Sequence, residues 1–138
     1  MTVALLDTGP LIALFDTAEV AHAHYYELLM RSREGWHLTT TWPCVVEASY
    51  FLAVPWRWQM LRWVVEGGVS IFPFDPVHVK DMAALMQQYT VPCHAEMDFA
   101  DASLVWVAGE TGIRQIWTLD VRDFYRYRLP DGRAFEIL

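Results

Sequence analysis

The chain has 138 residues, with ten Lys and Arg against seventeen Asp and Glu, and 54% of the residues are hydrophobic. This apolar content excludes a disordered chain, and the length suits a single domain with one core, which we expect to span residues 1–138. The formal net charge of −7 argues against a nucleic-acid binder, since phosphate binding depends on Lys and Arg.

The apolar opening run MTVALLDTGPLIALF does not have the pattern of a signal peptide, because it lacks a basic start and contains Asp7. No other stretch supplies the roughly 18 uninterrupted apolar residues of a membrane span. Cys44 and Cys93 are predicted to be free thiols, and the histidines lack the spacing of a zinc site. These features predict a cytoplasmic protein.

Strands and helices alternate in the first half of the chain. A short apolar run over residues 3–6 predicts a buried strand that ends at Asp7. Further elements are predicted as a brief helix over 10–15, a helix over 19–33, a strand over 36–41 and a helix that starts near Pro43. Glu47 is expected in the early turns of that last helix.

The same alternation continues in the second half. Helices are predicted over 56–66, 75–89 and 98–110, and strands over 69–72, 115–119 and 134–138, the last at an edge. Alternating strands and helices are typical of a mostly parallel sheet with helices on both faces. The sequence therefore predicts a three-layer α/β fold.

Acidic residues follow two of the predicted strands. Asp7 and Asp120 each stand at a carboxyl end, where ligands bind in open α/β sheets, so the two should share one rim. Glu47 and Asp101 lie near the starts of helices, whose N-termini point to the same rim. We expect these four acids to converge, with Asp98 close by.

Converging carboxylates repel one another unless a cation is present. Oxygen ligands without Cys or His favour Mg²⁺ or Mn²⁺ over zinc. Such an ion keeps several waters, can activate one of them as a nucleophile and can stabilise a charged phosphoryl transition state. Hydrolysis of a phosphodiester is the reaction that fits this site.

Taken singly, each acid also has a simpler explanation. Asp7 before Gly-Pro could head a turn, and Asp98 could cap a helix that has Asp101 in its first turn. Glu47 could be a solvated helix residue, and either Asp120 or Asp123 could serve in a turn. The functional interpretation therefore rests on the joint pattern.

That joint pattern resembles the PIN-domain family and, within it, the VapC-type toxins of bacterial toxin–antitoxin pairs. The resemblance lies in LLDTGPLIALFD, TTTWPCVVEA with Glu47, MDFADASLVWVAGETG and IWTLDVRDFYRYR, in this order along nearly the whole chain. It implies an αβα sandwich, a Mg²⁺- or Mn²⁺-dependent endoribonuclease, a frequent homodimer and inhibition by a cognate antitoxin.

The resemblance also implies roles for individual residues. Asp7, Glu47, Asp101 and Asp120 take the places of the four catalytic acids, and Asp7, Asp98, Asp101 and Asp120 would hold the metal. Thr8 and Thr118 resemble the small hydroxyl residues that brace such a site. The shortage of basic residues departs from the pattern expected of an RNA binder, which puts substrate affinity in question.

Two other segments are candidates for interactions. Residues 121–138 hold four Arg against three acids, so Arg122, Arg126 and Arg128 are candidates for guiding the RNA backbone, or form a solvated basic face. The Trp-rich stretch VPWRWQMLRWVV is expected to be covered as part of the core. Alternatively, it serves dimerisation or antitoxin docking.

Two alternatives to a nuclease stay open at this point. A phosphoacceptor receiver domain also carries acids at the rim of a parallel sheet, and Asp75 follows the third predicted strand, but the single Lys80 falls inside a helix. A non-catalytic protein-binding module would use the acids as helix caps or metal ligands and would bind without cleaving.

Overall fold

A five-stranded sheet forms the centre of the protein in a computed structural model that describes residues 1–138. The strands are β1 (Thr2–Leu6), β2 (Trp36–Thr40), β3 (Ser70–Ile71), β4 (Gln115–Trp117) and β5 (Glu136–Ile137). Their order is β3-β2-β1-β4-β5, and every neighbouring pair is parallel. The predicted parallel sheet and its C-terminal edge strand are confirmed.

Seven helices connect the strands. They are α1 (Thr8–Phe15), α2 (His22–Arg31), α3 (Trp42–Phe51), α4 (Val54–Val65), α5 (Pro76–Tyr89), α6 (Phe99–Thr111) and α7 (Val121–Arg126). Pro43 stands in the first turn of α3, where its missing N–H costs nothing, and Gly112 ends α6 in the left-handed region at φ 75°. None of these helices is long and apolar enough to cross a membrane.

The sheet separates two apolar cores, because successive side chains of a strand point to opposite faces. Leu5 and Ile116 pack on one face in a core that includes residues of α5, α6 and α7. Leu6 and Trp117 pack on the other face in a core that includes residues of α1 to α4. Helices thus cover both faces, and the expected αβα sandwich is confirmed.

Two features differ from the sequence-based expectations. The six-residue helix α7 was not predicted, because so short a segment shows no hydrophobic periodicity. The expectation that the Trp-rich stretch is covered holds for only one face of α4, where Trp56 and Trp63 pack against the core. Met60 is the buried residue of α4, whereas Trp58 and Val65 are 68% and 86% exposed.

Candidate functional site

The sheet reverses its direction of growth at the crevice between β1 and β4. From β1 the chain adds strands outward to β3, and it then returns to the other side of β1 for β4 and β5. Such a switch point leaves an open crevice beyond the carboxyl ends of the two strands. Asp7 directly follows β1, and Asp120 lies three residues after Trp117, the last residue of β4. The predicted shared rim of these two acids is therefore the crevice of the fold.

Asp7 is held rigidly at this position. Its backbone N–H donates to the Trp117 carbonyl at 3.0 Å, and its Oδ1 accepts from the Thr8 N–H at 2.8 Å as the N-cap of α1. Its Oδ2 accepts from the Thr118 hydroxyl at 2.7 Å. The Thr118 Oγ1 also accepts the Asp120 N–H at 3.0 Å, so Thr118 connects the two acids at the strand ends.

The N-terminus of α6 brings two further acids to the crevice. Asp98 is the N-cap, and its Oδ1 accepts from the Asp101 N–H at 2.8 Å. The Asp101 side chain is buried, and its Oδ2 accepts from the Tyr127 hydroxyl at 2.9 Å. The capping explanation for Asp98 is therefore confirmed, and it leaves the Asp101 carboxylate oriented by a residue that follows α7.

A compact group of acids lies between α6 and α7. Carboxylate oxygens of Asp101, Asp120 and Asp123 all lie within 4.8 Å of one another. Sequence reasoning noted Asp123 as a turn residue and did not select it for the site. The signal was present, because Asp120 and Asp123 repeat at the start of α7 the Asp-x-x-Asp spacing of Asp98 and Asp101.

Burial and mutual repulsion raise the pKa values of the acids at the crevice. Desolvation raises the pKa of Asp7 to about 6, against the Thr118 and Thr8 hydrogen bonds, with further raising effects from Asp98 and Asp120. Desolvation and then Asp7 and Asp98 raise the pKa of Asp101 to about 8. The pKa of Asp120 is raised by desolvation and by Asp123. Because a bound cation would offset the repulsion between the ionised carboxylates, this crevice favours a cation.

Glu47 approaches the acids from α3. It is half-buried and lines a groove together with Asp98. Burial and the charge of Asp98 raise the pKa of Glu47, with the Thr8 hydroxyl acting in the opposite direction. The Thr8 Oγ1 is buried near the Glu47 carboxylate but does not complete a hydrogen bond to it, so it is a polar atom without a partner at the acidic crevice.

The donor set fits a hard divalent cation. Every charged side chain in the group is a carboxylate, and the orphaned Thr8 hydroxyl can accept a bond from a water held nearby. Cys44 is fully buried, and desolvation followed by the charge of Asp7 raises the pKa of this thiol to about 12. It therefore stays protonated and supplies no thiolate that would favour zinc.

The three candidate arginines differ in how they are engaged. Arg126 donates to the Tyr89 carbonyl at 2.6 Å and pairs with Asp123 at 3.2 Å. Arg128 donates to the carbonyls of Tyr125 and Tyr127, both at 2.8 Å. Arg122 is exposed and makes no side-chain hydrogen bond or ion pair within the chain. Of the three, Arg122 is free to meet a phosphate.

The structure disfavours the receiver alternative. Asp75 follows β3, which is an edge strand, and it caps α5 with its N–H donating to His78 Nδ1 at 2.9 Å. Lys80 lies within α5 rather than after a central strand. The acids that do converge are those of the β1–β4 crevice.

A doubly wound parallel sheet with a cluster of carboxylates at its switch point defines an α/β protein with a site suited to a divalent metal ion. Residues 4–129 match the PIN domain, and the chain belongs to this family. The family resemblance drawn from the sequence motifs is thereby confirmed.

Individual relatives extend this comparison. The chain is 28% identical over 138 residues to the ribonuclease VapC26 of Mycobacterium tuberculosis, which covers 97% of this chain and 98% of that protein. The fold of this chain is similar to that of VapC20 from the same organism, a sarcin–ricin loop cleaving toxin. The TM-score is 0.75 at 14% identity, and the alignment covers 88% of this chain and 92% of VapC20. A toxin–antitoxin complex from Klebsiella pneumoniae aligns with a TM-score of 0.64, 18% identity and coverage of 98% and 95%.

Proposed function

We propose that this protein is an endoribonuclease that depends on Mg²⁺ or Mn²⁺ and acts as the toxin of a toxin–antitoxin pair. The observation that carries the proposal is the approach of the Asp101, Asp120 and Asp123 carboxylates to within 4.8 Å, next to buried Asp7. The proposal is supported by membership of the PIN family and by the ribonuclease among the relatives. A single domain over residues 1–138 and a homodimer are parts of the same proposal.

The acids have different roles in this proposal. Asp101, Asp120 and Asp123 would hold the ion through their carboxylate oxygens, and Asp7 and Asp98 add negative charge nearby. The bound divalent ion supplies Lewis-acid stabilisation of the phosphate and lowers the pKa of a water nucleophile. Glu47 is half-buried beside Asp98 with a raised pKa, and this carboxylate would act as the general base that accepts the proton of the attacking water.

The positioning residues keep these acids in place without touching the RNA. Thr118 holds the Asp7 carboxylate and the Asp120 backbone through a single hydroxyl. Tyr127 holds Asp101, and burial raises the pKa of the Tyr127 hydroxyl, which keeps it protonated as a donor. Thr8 contributes its backbone N–H to Asp7 and leaves its hydroxyl available.

Purified protein incubated with mixed RNA tests the proposal. Cleavage is expected with Mn²⁺ and not with EDTA, and Asp7→Asn and Asp101→Asn should each abolish it. Asp81→Asn is the matched control, because Asp81 is an exposed acid on α5 beside the C-terminal half of α6. Cleavage that persists in EDTA or in both variants contradicts the mechanism. An intact fold that binds Mn²⁺ but cleaves no RNA supports the non-catalytic module instead.

A further inference from the structure

An open apolar groove of about 610 Å³ adjoins the acidic crevice. Its apolar walls come from the first turns of α3 and α6 and from the segment after β3, namely Trp42, Pro43, Val46, Phe74, Phe99 and Ala100. Trp42 is 53% exposed and Phe99 is 36% exposed, so two aromatic faces are open to solvent. Together with Val46, which is 66% exposed, these rings form one contiguous apolar patch, and such a patch is typical of a binding site.

Phe74 and Phe99, two of the three aromatic residues of the walls, are held in fixed positions. Phe74 packs edge-on against Phe99 with ring centroids 6.1 Å apart, and Trp106 supports Phe74 from behind at 6.2 Å. Trp106 is a residue of α6 and is itself buried in the core. The groove therefore needs little reorganisation to receive a flat group, which lowers the entropic cost of binding.

The groove is continuous with the proposed catalytic site. Glu47 and Asp98 line it, and Asp98 is bonded to the Asp101 N–H at 2.8 Å. A strand whose phosphodiester reaches the acids is therefore able to place a neighbouring nucleotide at the mouth of this groove.

Charge decides which part of that nucleotide enters. No Lys or Arg lines the groove, and its two charged groups are the carboxylates of Glu47 and Asp98. A phosphate would be repelled there. A nucleobase is uncharged, and its N–H groups can donate hydrogen bonds to the carboxylates. Aromatic stacking on a base also provides affinity that a chain of net charge −7 lacks from ion pairs.

We propose that this groove binds an unpaired nucleobase of the RNA, stacked on Trp42 and Phe99, beside the phosphodiester at the acid cluster. The proposal rests on the proposed ribonuclease function and deepens it by naming the residues that would hold one base of the substrate. That base is unpaired, because a base must leave its helix to enter a groove of this kind.

The test uses a fluorescein-labelled 2′-O-methyl oligoribonucleotide, which lacks the 2′-hydroxyl, and its abasic derivatives, each missing one base. Trp42→Ala and Phe99→Ala should each weaken anisotropy-measured binding about 10-fold, and Trp42→Phe should restore most of it. Trp58→Ala is the matched control, because this exposed Trp lies on α4 outside the groove. Removal of the base at one position should weaken binding of the oligonucleotide by wild type about 10-fold. The same removal should have little effect on binding by the Trp42→Ala variant.

Cleavage of unmodified RNA with Mn²⁺ separates the two proposals. If wild type cleaves RNA and both Ala variants bind and cleave as wild type does, the stacking proposal is overturned while the nuclease function stands. If both variants keep RNA affinity but lose binding to a purified antitoxin, the groove is a protein-docking site and the proposal is also wrong. If wild type neither binds nor cleaves RNA, both proposals fail. Thermal unfolding at the wild-type temperature verifies that the variants fold.

Discussion

The Tyr127 hydroxyl donates a hydrogen bond to Asp101 Oδ2 at 2.9 Å, and both side chains are buried. This bond connects the segment after α7 to Asp101, whose pKa is raised further than that of Asp7, the other buried acid. Arg126 lies over the Tyr127 ring at 5.0 Å from its centroid and fixes the ring from one side. The orientation of a proposed metal ligand thus depends on a residue 26 positions away in the sequence.

Removal of this hydroxyl should loosen Asp101. Tyr127→Phe is expected to weaken Mn²⁺ binding by about 10-fold to 100-fold and to reduce stability by about 1.5–3 kcal/mol. Isothermal titration calorimetry and thermal unfolding measure the two effects. Tyr89→Phe is the matched control, since the Tyr89 hydroxyl accepts from the Arg128 N–H and contacts no acid of the site. Equal Mn²⁺ affinity in the two variants would show that Tyr127 has no positioning role.

Thr118 should matter through its hydroxyl rather than through its size. Thr118→Val keeps the shape but removes the donor to Asp7 and the acceptor for the Asp120 N–H, so Mn²⁺ affinity should fall about 10-fold or more. Thr118→Ser retains the hydroxyl and should stay close to wild type. The measurement is Mn²⁺ titration of the three proteins, and a Val variant that binds as well as the Ser variant contradicts this account.

Asp123, which sequence reasoning passed over, should contribute to metal binding. Asp123→Asn is expected to weaken Mn²⁺ affinity about 10-fold, because one carboxylate leaves the group with Asp101 and Asp120. Asp131→Asn is the matched control, since Asp131 also pairs with an arginine, Arg133, but stands outside the site. Should both variants bind Mn²⁺ like wild type, Asp123 serves only its ion pair with Arg126.

The pH dependence of stability should reveal the strained acids. The folded-state pKa values of Asp7 and Asp101, about 6 and about 8, lie above the value near 4 of an unfolded aspartate. At a pH between the unfolded and folded pKa values, the folded chain binds more protons than the unfolded chain. The contribution of protonated Asp7 and Asp101 to stability is therefore complete below about pH 4 and is lost as the pH rises through 6 and 8. The metal-free protein should therefore unfold at a lower temperature at pH 8 than at pH 5.

Two comparisons check the origin of that pH effect. Asp101→Asn should flatten the profile and raise the unfolding temperature of the metal-free protein at pH 8. Mn²⁺ should stabilise wild type more at pH 8 than at pH 5, because it binds ionised carboxylates. A profile that is unchanged in Asp101→Asn assigns the pH effect to other groups.

Sequence reasoning succeeded where a local pattern has one structural outcome. The short apolar run before Asp7 predicted a buried strand, and Asp98 was a candidate cap of the helix that contains Asp101; both are observed. From these elements, the convergence of Asp7, Asp101 and Asp120 followed from the general rule for parallel sheets. The strand order did not follow, because it depends on pairings between distant segments.

The remaining differences have physical causes. Asp123 was missed because α7 is too short to show periodicity, so its first turn could not be told from a loop. The exposure of Trp58 on α4 was missed because apolar composition shows that a surface is suited to burial and not what covers it. The engagement of Arg126 with the Tyr89 carbonyl is a long-range contact without a sequence signature.

The most direct test of the account is a crystal structure of the protein soaked in Mn²⁺, with anomalous diffraction used to locate the ion. An anomalous peak is expected between the Asp101, Asp120 and Asp123 carboxylates, close to Asp7, and it should disappear in Asp101→Asn. An active protein whose Mn²⁺ peak lies elsewhere, or that shows no peak at saturating Mn²⁺, contradicts the assignment of the metal site to this cluster.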